Sequence, residues 1–248
     1  MKSIEEYYKN DYLKMIDIDE ETGYGAQRLF KEIIGEPKNL RILDVGVGTG
    51  SKIEWLVEKN EVYGLEINEV AISRAKKRGI NVIKANIEER FPFEDKSFDL
   101  VICSQVLEHL VRPYKTLQEI NRVLKPKGIF IVDVPNHFGL LSRIHILFGG
   151  NLYRDHAGYW RNEKFFEWNW PHIRFYTYSG FRNFLSTYGF DILEDFSDRA
   201  VLYRPIGIMM YTIRKRFQPI YPLIKRMYRP QLFSSSFIFK AVKVRDIR

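Results

Sequence analysis

The stretch Leu40-Arg41-Ile42-Leu43-Asp44-Val45-Gly46-Val47-Gly48-Thr49-Gly50 decides how this chain is read. Its apolar run, Ile42 to Val45, has the length and composition of a buried parallel strand. Glycines follow at 46, 48 and 50. Lacking Cβ atoms, they let the backbone turn sharply and approach a ligand closely. A helix is expected next, from Ser51 to Lys59. Strand, glycine loop and helix N-terminus, in that order, open a nucleotide-type site in an α/β sheet.

The same rhythm continues downstream. Strands are expected at Glu61 to Leu65, Ile80 to Lys84, Leu100 to Cys103, Ile129 to Val134, Phe190 to Leu193 and Phe237 to Val244. Helices are expected at Asn68 to Arg78, Pro113 to Leu124 and Ser179 to Tyr188, with a turn at Lys125 to Gly128. Pro113 suits a first helical turn, where a missing N–H costs nothing. Strands alternating with helices predict a mostly parallel sheet covered on both faces. Upstream, residues 3 to 34 read as two helices. Ser3 to Glu6 resembles a capping box, and Thr22 is placed as the cap of the second helix, which Gly35 and Pro37 end. Tyr7, Tyr8 and Tyr12 on the first helix pack against the sheet edge or form a lid over a ligand. The chain is thus read as a single domain, 1–248, with a helical cap at 1–36.

The chain has 248 residues, 45% hydrophobic and 28% charged, which is the composition of a soluble globular protein. The single cysteine, Cys103, excludes an internal disulfide framework and reads as a buried structural thiol. No secretion signal and no ordinary membrane span are visible, so a cytoplasmic location is expected. The net charge of +8 is unevenly spread: from Arg199 to Arg245 there are eleven Lys or Arg and no Asp or Glu. The remaining body is therefore slightly acidic.

The glycine loop alone admits several ligands. A dinucleotide fingerprint needs a third glycine three places after the second, and Ser51 stands there. A phosphate-binding P-loop pattern is absent. Asp44 before the loop would repel phosphate but suits a cationic amine, or could orient the loop amides. Glu66, at the end of the second strand, can accept both hydroxyls of a ribose. These features point to a nucleoside with little phosphate and some positive charge.

At this point the sequence resembles the class I methyltransferases that use S-adenosylmethionine. Leu43 to Gly50 is similar to that family's first motif, and Glu66 to its ribose ligand. Asn86-Ile87 is similar to the adenine-holding pair, where Asp is more usual than Asn. Phe91 to Val101, Gln105 to His109 and Leu124 to Gly128 resemble its later motifs. Pro171-His172-Ile173-Arg174-Phe175-Tyr176-Thr177, followed by Phe190, resembles the small-molecule branch that includes quinone-biosynthesis enzymes. The resemblance implies a three-layer α/β sandwich with a seven-stranded, mostly parallel Rossmann-like sheet, its last strand antiparallel and inserted beside the fifth. It implies S-adenosylmethionine as cofactor and methyl transfer to an O, N or C atom of a small or lipid-like molecule. An RNA methyltransferase and a non-catalytic S-adenosylmethionine-binding protein are the alternatives.

The cofactor-binding candidates are Asp44, Gly46, Gly48, Gly50, Glu66, Ile67, Asn86, Ile87, Ser104 and Gln105. Asn86 would donate its amide to an adenine ring nitrogen while Ile87 packs on the ring. Methyl transfer needs a positioned nucleophile, and a base only where the acceptor must lose a proton. His109 and His137 are the candidates for that base. His172 with Arg174 would bind an acidic or phosphorylated acceptor. The histidines of 135–177 show no compact metal-ligand spacing, and no metal is expected.

Two segments break the rhythm. Residues 135–177, rich in aromatics, are expected to form helical pieces over the carboxyl ends of the strands. Trp160, Phe165 and Trp168 there stack on a planar or isoprenoid acceptor or pack as a small second core. Residues 199–232 are basic and aromatic, with amphipathic helices expected at Ile206 to Arg216 and Tyr221 to Tyr228. Three readings apply: a peripheral contact with an anionic membrane inner surface, phosphate contacts to a nucleic acid, or a solvated basic face with an oligomer surface on its apolar side.

Overall fold

The computed structural model describes residues 16–150, 172–200, 212, 214–216, 219 and 221–247. The expected first helix, its capping box, Tyr7, Tyr8, Tyr12, Trp160, Phe165, Trp168 and residues 206–211 lie outside them.

Helix α1 (Ile16–Ile34) precedes strand β1 (Arg41–Val45). Then come β2 (Glu61–Glu66), α2 (Glu69–Lys77), β3 (Asn81–Lys84), β4 (Phe98–Ser104) and α3 (Pro113–Val123). Strand β5 (Leu124–Pro135) leads to α4 (Leu140–Leu147). The chain closes with α5 (Tyr178–Thr187), β6 (Phe190–Asp195), α6 (Tyr221–Met227), α7 (Pro230–Phe233) and β7 (Ser236–Lys243). The sheet has seven strands in the order β3-β2-β1-β4-β5-β7-β6. Strands β1 to β5 pair in parallel, and β7 is antiparallel to both β5 and β6. This is the expected sheet, with its last strand inserted beside the fifth.

Alternate residues of each strand feed opposite faces. Leu43, Val45, Val101, Cys103, Phe130 and Val132 join Leu117 and Ile120 of α3 and Phe181 and Leu185 of α5 on one side. Ile42, Val62, Leu100, Ile102 and Ile131 join Phe30 and Ile33 of α1 and Ile72 and Ala75 of α2 on the other. The result is three layers, helix, sheet, helix, each apolar face covered. Fully burying one such Leu, Ile or Phe stabilises by about 1.5–3 kcal/mol, so the two faces supply the driving force.

Three local expectations are corrected. No helix follows the glycine loop; a short 3-10 turn at Glu54–Leu56 stands there instead. Gln27 Nε2, from α1, donates to Ser51 O at 2.6 Å, which takes the first carbonyl of the expected helix. Thr22 is not a cap, because it lies inside α1 (Ile16–Ile34). Ion pairs from Asp17 and Glu20 to Arg74 hold the helix against α2. The segment Lys125 to Gly128 lies within β5, as an excursion. Pairing steps from Phe98↔Leu124 to Leu100↔Ile129, and Lys127 takes a positive φ of 62°.

Candidate active site

The loop after β1 is fixed by its own backbone. Gly46 N and Val47 N donate to Leu65 O at 2.9 and 3.1 Å. Gly46, Gly48 and Gly50 have φ of 75, 55 and 78°, a region costly for other residues. A Cβ on Gly46 would stand 2.6 Å from Val106 Cγ2, and one on Gly50 would stand 2.5 Å from Ile80 Cδ1. Protein packing thus already demands glycine at both positions. Gly64 of β2 does the same for Val47, whose Cγ1 would be 2.6 Å from an added Cβ.

Glu66 ties this loop to the end of β2. Its Oε2 accepts from Gly48 N at 3.0 Å, and its Oε1 accepts from Ile67 N and Asn68 N at 2.7 and 2.9 Å. Asn68 in turn caps α2, its Oδ1 accepting from Val70 N and Ala71 N, both at 3.0 Å.

Helix α1 lies across the loop. Arg78 Nε donates to Glu54 Oε2 at 2.9 Å, and its other nitrogens bind Glu20, Tyr24 Oη and Thr49 O. Ser51 Oγ donates to Glu20 O at 3.0 Å. A Cβ on Gly23 would run into Ser51 Oγ, so the helix approaches the loop at backbone distance.

The neighbouring strand ends place the remaining cofactor candidates. Asn86 Oδ1 accepts from Glu88 N at 3.0 Å, which engages the carbonyl in a turn and turns its chemistry toward donation by the amide. Ile87 packs half-buried against the core. Asp44 is buried within β1, paired between Gly64 and Ile102. Ser104 Oγ accepts from Lys52 Nζ at 2.6 Å. Gln105, at φ 57°, donates through Nε2 to Asp133 Oδ2 at 2.5 Å. The other Asp133 oxygen is buried with no hydrogen-bond partner among the described residues.

The histidines converge beyond the ends of β4 and β5. A 3-10 turn, Leu107–His109, follows β4 and buries Glu108 completely. Burial pushes the Glu108 carboxyl well above the usual carboxylate range, and Asp133 adds to that. Ile173 N and Arg174 N both donate to Glu108 O, at 2.9 and 3.0 Å, which carries His172 to the turn. The His172 ring stands edge-on to His109 at 4.7 Å, and His172 Nδ1 is 2.9 Å from His137 Nε2. His137 is itself buried. The Arg174 guanidinium holds the carbonyls of Leu110 and Val111. Three residues here escaped the sequence reading: Lys52, Glu108 and Asp133. Asp133, an acid at the end of an apolar strand, carried the same signal as Asp44.

This fold is shared with proteins of known structure. Residues 43–132 match the family described as Methyltransferase domain. This is a class I S-adenosylmethionine-dependent methyltransferase fold. An uncharacterised protein of Methanocaldococcus jannaschii is 32% identical over 155 residues, covering 57% of this chain and 65% of that one. The ubiquinone/menaquinone biosynthesis C-methyltransferase of Shewanella sp. (strain ANA-3) is 31% identical over 144 residues, covering 50% of this chain and 57% of that one. A crystal structure of a Listeria monocytogenes protein described as a putative S-adenosylmethionine dependent methyltransferase aligns with a TM-score of 0.61 at 16% identity. It covers 90% of this chain and 98% of that one. The chain spans 55–65% of the length of the first curated relatives it matches.

S-adenosylmethionine fits the residues present. Glu66 places a carboxylate, the group that accepts from ribose hydroxyls, against the glycine loop, and the Asn86 amide can donate to an adenine nitrogen. The buried Asp133 oxygen and Asp44 line the strand ends with negative charge, which suits a sulfonium and an ammonium. Lys52, beside Ser104 at the end of β4, offers a cation for a carboxylate.

Proposed function

We propose that the chain transfers a methyl group from S-adenosylmethionine to an O, N or C atom of a small or lipid-like molecule. The observation that carries this reading is the buried Glu66 carboxylate bonded to Gly48 N, which sets a nucleoside site against the glycine loop. Bound there, the cofactor supplies an electrophilic methyl group. Glu66, Ile67, Asn86 and Ile87 hold and orient its nucleoside; Asp44, Ser104, Gln105 and Lys52 hold its amino-acid end. Helix α1, clamped by Arg78, keeps water from the loop. The acceptor side is assigned to His109, His137 and His172, and the relatives named for quinone and sterol methylation support a lipid-like acceptor.

The basic segment 199–232 is assigned to an anionic membrane surface. Lys215, Arg216, Arg226 and Arg229 are exposed there. Arg199 and Arg214 both pair with Glu32, so part of the charge is spent inside the fold. Among the described residues no helix is long and apolar enough to cross a membrane. The test is a screen of lipid, quinone, glycan and RNA extracts with methyl-labelled S-adenosylmethionine. Label in the lipid or quinone fraction supports the reading; label in RNA alone, or none with any extract, contradicts it.

A further inference from the structure

We propose that Glu108, His109 and His172 form a binding site for one divalent transition-metal ion, with His137 orienting His172. One potential ligand atom from each of the three lies within 4.8 Å of the others. Four-coordinate ligands about 2.0–2.1 Å from an ion stand roughly 3.3 Å apart, so small side-chain rotations close the set. Two imidazoles and one carboxylate suit zinc, iron(II), cobalt(II) or manganese(II), and leave positions open for a further ligand.

The second observation is the state of Glu108. It is 0% exposed, and neither carboxylate oxygen has a hydrogen-bond partner among the described residues. The nearest charge partner is His109 Nε2, 3.8 Å from Oε1. A buried, unsatisfied carboxylate is expensive, and native structures rarely keep one without an ion or a partner to offset it. A divalent cation held with His109 and His172 supplies that compensation.

The rest of the shell is arranged as a ligand histidine requires. A metal-bound imidazole commonly gives its second nitrogen to a fixed hydrogen-bond partner, which sets ring orientation. His172 Nδ1 has His137 Nε2 at 2.9 Å, a contact that fixes the orientation of the His172 ring. The His137 ring is itself packed edge-on against Phe175 at 4.8 Å. The backbone bonds from Ile173 and Arg174 to Glu108 O lock the two halves of the site together before any ion binds. Placed just past Ser104 and Gln105, an ion here lies on the acceptor side. Its role there rests on the methyl-transfer reading: it would hold an acceptor hydroxyl or enol oxygen, so His109 serves as a ligand and not as a base.

The test uses the full chain, stripped with chelator and titrated with cobalt(II). The expected result is one equivalent bound, seen as visible d–d absorption, displaced by zinc. His109→Ala and His172→Ala should each weaken binding at least about tenfold, and His137→Phe should weaken it less. His145→Asn, on α4 outside the cluster, should bind as the parent does. Glu108→Gln should lose the ion while melting normally; if that variant fails to fold, the two histidine variants decide, with circular dichroism as the folding control. No stoichiometric cobalt spectrum in the parent overturns the proposal, as does binding unchanged in both His109→Ala and His172→Ala. Calorimetry with S-adenosylmethionine on the stripped protein separates this outcome from failure of the methyl-transfer reading, because the donor residues are not among the ligands.

Discussion

Replacing Gly46 by alanine tests whether the loop geometry is held by packing as well as by conformation. The residue sits at φ 75°, where an L-residue costs roughly 1–2 kcal/mol. Its new Cβ would stand 2.6 Å from Val106 Cγ2, which is too close for any real contact. Val106 is β-branched and stiff at χ1, so backbone must yield, at an overpacking cost of about 1–3 kcal/mol. The sum is a loss of about 2–5 kcal/mol. Urea unfolding followed by circular dichroism measures it, with m-values compared to confirm that only stability changed. Adding Val106→Ala should return the clash part while leaving the conformational part, so the double variant should be more stable than Gly46→Ala alone. A loss below about 0.5 kcal/mol in Gly46→Ala, within the range of ordinary surface changes, would refute the reasoning. So would a double variant less stable than the sum of the two single ones.

Other outcomes follow from the same geometry. Arg78→Ala should destabilise by about 1–3 kcal/mol and expose the α1–loop junction to amide exchange, since Glu20, Glu54 and Thr49 O lose a charged donor; a double cycle with Glu20→Ala should show coupling. Burial raises the Cys103 thiol well above its usual pKa, so Ellman's reagent should react with it only in denaturant. Hydrogen bonds from Lys243 and Lys96 depress Asp246 to about 2. Its folded pKa lies below its unfolded one, so its contribution is present above about pH 4 and fades as pH falls through about 2. The Asp246 carboxylate itself is 58% exposed, so a carboxyl NMR titration should show the shift while the stability change stays below about 1 kcal/mol.

The sheet was legible because each strand is a short apolar run closed by a turn signal. Ile42 to Val45 and Ile129 to Val134 sit where expected, and Gly35, at φ 78°, stops its helix as read. Segment 51–59 was misread because Gln27, from a distant element, binds Ser51 O, a carbonyl that a local helix would need. Thr22 failed as a cap because it lies inside α1, whose Asp17 and Glu20 pair with Arg74. At the site, the loop and Glu66 were visible from spacing alone, being close in sequence. The Glu108–His109–His172 cluster was not, since it joins residues over 60 positions apart through two backbone bonds. Arg174 looked like an anion ligand, yet its partners are carbonyls that only the fold brings near.

The central claim is that the loop and Glu66 bind S-adenosylmethionine. Isothermal calorimetry of the full chain with that compound is the most direct test. One-to-one binding by the parent is predicted, with loss of at least about tenfold, or about 1.4 kcal/mol, in Glu66→Ala, and no binding of NADH. No heat of binding from the folded parent, or affinity unchanged in Glu66→Ala, would contradict it.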